Sequence, residues 1–197
     1  MLWFREPILS KVRHAAKPNI SNSGFAYKIY DQHSMYFVTF TEHQWVDVFT
    51  RKQYVEIVLE SLRFCQKEKG LKIFAWVVMS NHVHLILRSD ENKLSDIIRD
   101  FKKFTSTKIV KMIVENKKES RKKWLLWLFK KEDNIWFWEE GYHGEEITSP
   151  DFFETKLEYI HQNPVRAGIV EKGEDYLYSS CADYLSLRKG MLDVEGI

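Results

Sequence analysis

Only two cysteines, Cys65 and Cys181, occur in the 197 residues, too few and too widely spaced for a disulfide framework or a thiolate zinc site. Both read as reduced thiols. No apolar run approaches the roughly 20 residues that span a bilayer. The opening stretch MLWFREPILSKVRH breaks its apolar residues with charges before a signal-like core can form. A cytoplasmic protein with no membrane association is therefore expected. Internal repeats and low-complexity segments are missing too. At 44% hydrophobic and 29% charged residues, the composition excludes disorder and suits one sizeable core. Large net charge is also lacking, but the value of +2 hides an asymmetry. Between Arg99 and Lys131 stand 12 Lys and Arg against 3 Asp and Glu, which leaves the remainder of the chain net negative. Within that block Lys117, Lys118, Arg121, Lys122 and Lys123 run into Trp124 and Trp127. Such a block reads either as a solvated helix face or, as favoured here, as a surface that holds phosphates and stacks bases.

Residues 1–24 read as an irregular lead-in, with Pro7, Pro18 and the turn cluster NISNSG, ahead of a single domain over 25–197. SMYFVTFTEHQW is rich in β-branched and aromatic residues and predicts a first strand. RKQYVEIVLESLRFCQKEKG has apolar residues at helical spacing and a stop at Gly70. LKIFAWVVM and HVHLILRS, joined by Ser80-Asn81, predict a hairpin, and Lys93 to Asn116 is helical again. Ile135 to Ile147, IWFWEEGYHGEEI, is the candidate fourth strand, with Trp136 and Trp138 assigned to core rather than to base stacking. A last helix starts at Ser149-Pro150-Asp151 and is expected to stop near Asn163, because Pro164 follows. The order predicts an α+β, ferredoxin-like split-βαβ fold: an antiparallel sheet with helices on one face and an additional C-terminal helix.

In WVVMSNHVHLIL, strand alternation sets Val83, Leu85 and Leu87 on one face and His82, His84 and Ile86 on the other. The two imidazoles would stand side by side, which suits a metal, although His-x-His alone is better explained by an ordinary half-exposed strand. In LEYIHQNPVRAG, Tyr159 and Asn163 are four apart on one helix face and His161 points elsewhere. Docked over the histidines, that face would bring a hydroxyl and an amide oxygen to them; otherwise Tyr159 packs on the sheet and Asn163 caps the helix. Glu139, Glu140, Glu145 and Glu146 read as a polar turn, and His143 as part of it or of a DNA path.

Taken together, HVH, then GYHGEEI, then KLEYIHQNPVRAGIVEKGEDYLYSSCADY resemble the single-tyrosine HUH transposases of the IS200-like family, most of all their REP-associated branch. The similarity spans about Phe25 to Tyr184. It implies that His82 and His84 bind a divalent metal, Mg²⁺ or Mn²⁺, that Asn163 is a third protein ligand, and that Tyr159 is the nucleophile. It further implies single-stranded or hairpin DNA as substrate, cut and rejoined through a 5′-phosphotyrosine, by a monomer or a homodimer. DNA-contacting candidates are Lys117, Lys118, Arg121, Lys122, Lys123, Trp124, His143 and Arg166. The alternatives are a replication-initiator or relaxase-type nuclease with the same chemistry, and a hairpin-binding module without covalent chemistry.

Overall fold

A computed structural model describes residues 29–196; the lead-in expected over residues 1–24 lies outside the described residues. Strand β1 (Tyr36–Thr41) leads through a short 3-10 turn, His43–Trp45, to helix α1 (Lys52–Glu68). Strands β2 (Leu71–Val78) and β3 (His82–Ser89) form the expected hairpin, and helix α2 (Leu94–Glu115) follows. Gly70 does end α1, in the left-handed region at φ +63°. With β6 (His143–Glu146) the antiparallel sheet is complete, in the order β2-β3-β1-β6. This is the split-βαβ, ferredoxin-like arrangement the sequence predicts.

Two buried layers result from strand alternation. Tyr36, Val38, Phe40, Val83, Leu85 and Leu87 pack against α1 and α2, while Phe37 and Ile86 face the other way. Strand β2 changes parity midway. Leu71 and Ile73 share the helical side with Trp76 and Val78, because a bulge at Phe74 inserts one residue between the pairs Ile73–Leu87 and Ala75–Ile86. Helix α4 (Pro150–Arg166) covers the second face through Leu157 and Ile160. No helix among the described residues is long and apolar enough to cross a membrane.

Three sequence expectations are corrected. The segment 135–147 is not one strand. Asn134–Ile135 (β5) pairs with Lys130–Lys131 (β4) in a small ribbon, Phe137 and Trp138 turn into the core, and only His143–Glu146 joins the sheet. Gly141, at φ +72°, breaks the run. Trp138 is core, its Nε1 donating to Thr105 Oγ1 at 2.9 Å, but Trp136 is 42% exposed. Finally, α4 does not stop at Asn163. Pro164 lies inside the helix close to its end, and the stop is a Schellman turn at Gly168 (φ +70°), with Gly168 N–H donating to Val165 O and Ile169 N–H to Pro164 O, both at 2.9 Å. A further helix, α3 (Lys122–Phe129), arises from the basic block and buries Leu125 and Phe129 on the α1/α2 side.

Candidate active site

The site is assembled from the start of β3, the middle of β1 and one face of α4. Ser149 caps α4 by accepting from Phe152 N–H at 3.2 Å, and Pro150 occupies the first turn, as the sequence predicts. The helix is fastened by the segment after it. Val78 N–H donates to Tyr178 O and Ser180 N–H to Trp76 O, so residues 178–180 run along the outer edge of β2. Ser180 Oγ accepts from Trp76 N–H at 3.0 Å and lies 3.0 Å from Nε2 of His161, the buried histidine of α4. Gly173 must be glycine here, since a Cβ would lie 2.7 Å from the His161 carbonyl.

Held in this way, α4 presents Tyr159 to the histidines. The His82 and His84 rings lie 4.6 Å apart between centroids, and the Tyr159 ring meets His84 edge-on at 5.1 Å and Phe37 at 5.8 Å. Tyr159 remains 42% exposed. Asn163, one turn further on, hydrogen-bonds His82. His82 Nδ1 is 2.7 Å from Asn81 Oδ1, which can only accept, so the ring proton sits on Nδ1 and the lone pair on Nε2. His84 Nδ1 is 2.8 Å from Thr39 Oγ1, its partner across the β1–β3 register. His84 Nε2 is buried and has no hydrogen-bond partner among the described residues.

Both rings are neutral at ordinary pH. Burial lowers the His82 pKa to about 4. Burial also holds His84 well below the usual histidine range, helped by the nearby charges of Arg166 and Lys156 and by the closeness of the other basic ring, His82. Neutral imidazoles offer lone pairs, which is the state a metal ion requires. No group of three His, Cys, Asp or Glu among the described residues could hold a metal. The third donor beside these histidines is an amide, so the set available is two imidazole nitrogens and one carbonyl oxygen, with room for oxygen ligands. An orphaned, buried Nε2 in such surroundings fits a cation, because a buried ring nitrogen without a partner is otherwise costly.

Cations line the other side of Tyr159. The Arg166 guanidinium stacks 4.5 Å above its ring and donates to its carbonyl oxygen at 2.6 Å. Lys156 Nζ is 2.6 Å from Glu145 and 4.5 Å from the Phe37 ring centroid. His143 pairs with Thr39 across the other edge of β1, which sets His84, Thr39 and His143 in a row, and its Nε2 lies 3.2 Å from Glu145. Sequence reasoning missed Thr39, Asn81 and Lys156. The signal for Lys156 is its position one turn before Tyr159; Thr39 required the strand register.

The rest of the basic set lies elsewhere. Lys117, Lys118, Lys123 and Trp124 are exposed around the start of α3, on the side of the sheet opposite α4. Arg121 instead holds the buried Glu119 at 3.1 Å and donates to Asp47 O at 2.8 Å, and Lys122 donates to Val114 O at 2.8 Å. Burial pushes the Glu119 carboxyl up, but hydrogen bonds from Arg121 and Tyr54 outweigh it and bring the pKa to about 2. Arg121 thus fastens α3 to the body of the fold.

The arrangement is thus a split-βαβ sheet with a histidine pair on a central strand and a tyrosine-bearing helix laid across it, and a family model covers these elements. The model of the IS200-like transposases matches residues 30–163, and the chain belongs to that family. Among solved structures, a REP-associated tyrosine transposase bound to a REP hairpin is similar in fold, with a TM-score of 0.62 and 17% identity over 86% of this chain and 94% of that one. A candidate transposase from Deinococcus radiodurans R1 matches at a TM-score of 0.41 and 17% identity, over 71% of this chain and 94% of its own, which is too weak to add to the assignment. Comparison with curated proteins finds no significant match.

Proposed function

We propose that this chain is a metal-dependent single-strand DNA transposase that cuts and rejoins hairpin or repeat DNA through a 5′-phosphotyrosine on Tyr159. One observation carries the reading: the exposed Tyr159 ring stands edge-on to His84, whose buried Nε2 lacks a partner among the described residues. The similar solved transposase is one bound to a hairpin, which supports hairpin DNA as the substrate. His82, His84 and Asn163 would hold Mg²⁺ or Mn²⁺. When bound, the ion supplies charge neutralisation at the scissile phosphate. Tyr159 Oη attacks phosphorus in line; the Oη–P bond forms as the bond to the 3′-oxygen breaks, and the phenolic proton is lost while the departing 3′-oxygen gains one. Because one phosphodiester replaces another, a free 3′-hydroxyl can reverse the step without ATP. Arg166 and Lys156 place positive charge around the tyrosine, where a phosphate must enter.

The test is incubation of the wild type and Tyr159→Phe with labelled hairpin DNA and Mn²⁺. The wild type should give a protein–DNA adduct that survives boiling in detergent, with the nucleotide on the peptide KLEYIHQNPVR. The Phe variant keeps the ring and loses only one hydroxyl, a change of order 1 kcal/mol in stability, so it should fold, bind and form no adduct. In calorimetric titration with Mn²⁺, His82→Ala and His84→Ala should lose metal binding but retain hairpin binding. An adduct on Tyr142, Tyr176 or Tyr178 would move the nucleophile. No adduct from metal-loaded wild type would leave a hairpin-binding module.

A further inference from the structure

The turn that follows β1 has a backbone its residues disfavour. Gln44 and Trp45 both lie in the left-handed region, at φ +60° and +58°. For a bulky side chain this is strained, and glycine would be at ease there. The surroundings hold it in place. His43 N–H donates to Phe137 O at 2.8 Å, Gln44 N–H to Glu139 Oε1 at 2.9 Å, Trp45 N–H to Glu42 O at 3.0 Å, and Asn81 Nδ2 to Trp45 O at 3.3 Å. Strain maintained by this many contacts accompanies function more often than packing. Here it aims an indole outward. Trp45 is 47% exposed, and its ring centroid lies 6.1 Å from that of His82.

The neighbours of Trp45 show what it meets. Asn81, which holds the Trp45 carbonyl, also fixes the His82 tautomer, so one side chain positions both the candidate ligand and the indole. On the far side His43 lies 6.2 Å from the exposed Trp136, which carries Lys131 Nζ 5.8 Å from its ring centroid. Glu139, 3.3 Å from His43, makes the ground between the two indoles unsuited to a phosphate. Flat apolar faces beside a carboxylate suit bases, with the backbone following the cations outside.

We propose that Trp45 stacks on an unpaired DNA base next to the scissile phosphate, an assignment that rests on the strand-cleaving reading of the site. Stacking of this kind is tolerant of base identity, so Trp45 fixes the position of the strand rather than its sequence.

The experiment measures fluorescence anisotropy in EDTA, where cleavage is blocked, with two labelled probes: an oligothymidylate, and a sugar-phosphate strand of the same length without bases. Trp45→Ala should bind the oligothymidylate about five- to tenfold more weakly or worse than wild type. Trp45→Phe should recover most of the loss. On the strand without bases all three proteins should bind alike. The inference is overturned if wild type does not bind oligothymidylate, if Trp45→Ala binds it as wild type does, or if the loss is equal on both probes. The adduct assay separates the two proposals: base-dependent binding through Trp45 without an adduct removes the nuclease reading, and with it the position beside a scissile phosphate, but leaves the stacking, whereas an adduct with binding indifferent to Trp45 removes this inference alone.

Discussion

Glu42 and His84 are both buried with a polar atom that has no partner among the described residues, one on each face of the sheet, and their needs are opposite. The His84 nitrogen wants a ligand; the Glu42 carboxyl wants a proton. Burial holds the Glu42 pKa well above its ordinary 4.5, offset only in part by Val48 N–H and Arg121. Above pH 4.5 the unfolded chain therefore releases a proton that the folded chain keeps. The stability this group contributes is complete below that pH and is lost as pH rises toward the folded pKa, by about 1.4 kcal/mol per pH unit. Glutamine can still accept from Val48 N–H and has no proton to lose. Glu42→Gln should accordingly melt near the wild-type temperature at pH 4.5 and above it at pH 8, as followed by circular dichroism. Equal melting temperatures at both values would mean that Glu42 titrates normally.

Helix α4 owes its position to the chain beyond its C-terminus. His161, neutral because burial lowers its pKa to about 4, meets Ser180, and Ser180 meets both polar backbone atoms of Trp76 on β2. Ser180→Ala leaves Trp76 N–H and His161 Nε2 unpaired, at about 1–3 kcal/mol for each buried group. It should lower the melting temperature and reduce adduct formation by more than it reduces hairpin affinity, since it loosens the helix that carries Tyr159. Equal losses would show that the anchor serves stability only. The start of this helix was legible in the sequence because Ser149 and Pro150 are local signals. Its end was not: Pro164 is a strong stop signal, but so near a terminus it removes only one helical hydrogen bond, and Gly168 provides the cap. The fourth strand is over-read for a related reason, since a continuous apolar run such as IWFW reports burial of Phe137 and Trp138 in a loop as readily as it reports a ladder.

Among the described residues the basic groups divide between the two sides of the sheet. Lys117, Lys118 and Lys123 are exposed on the side of the sheet away from Tyr159, whereas Lys156, Arg166 and His143 surround the site. Changing Lys117, Lys118 and Lys123 to Gln should weaken hairpin binding and flatten its salt dependence, by about 0.9 in logarithmic slope for each duplex phosphate no longer neutralised. An unchanged slope returns the block to a solvated face. Arg121 is left out of that test because its loss would remove one of the two arginines that hold the buried Glu119, the other being Arg51 at 2.8 Å. Strand and helix periodicity sets His82 beside His84 and Tyr159 beside Asn163, but only the family resemblance implies that the two pairs meet, and Thr39 and Asn81 depend on register and loop geometry that periodicity does not encode.

The sheet margins carry one more consequence. Strand β6 is four residues long and carries His143, Glu145 and Glu146, so it makes a poor template for another chain, whereas β2, LKIFAWVV, is long, apolar and strongly β-forming. Residues 178–180 close that margin. The tether that aims the tyrosine thus also acts as a guard against fibre growth, and a chain clipped before Tyr176 would bare the segment most prone to recruit its own kind.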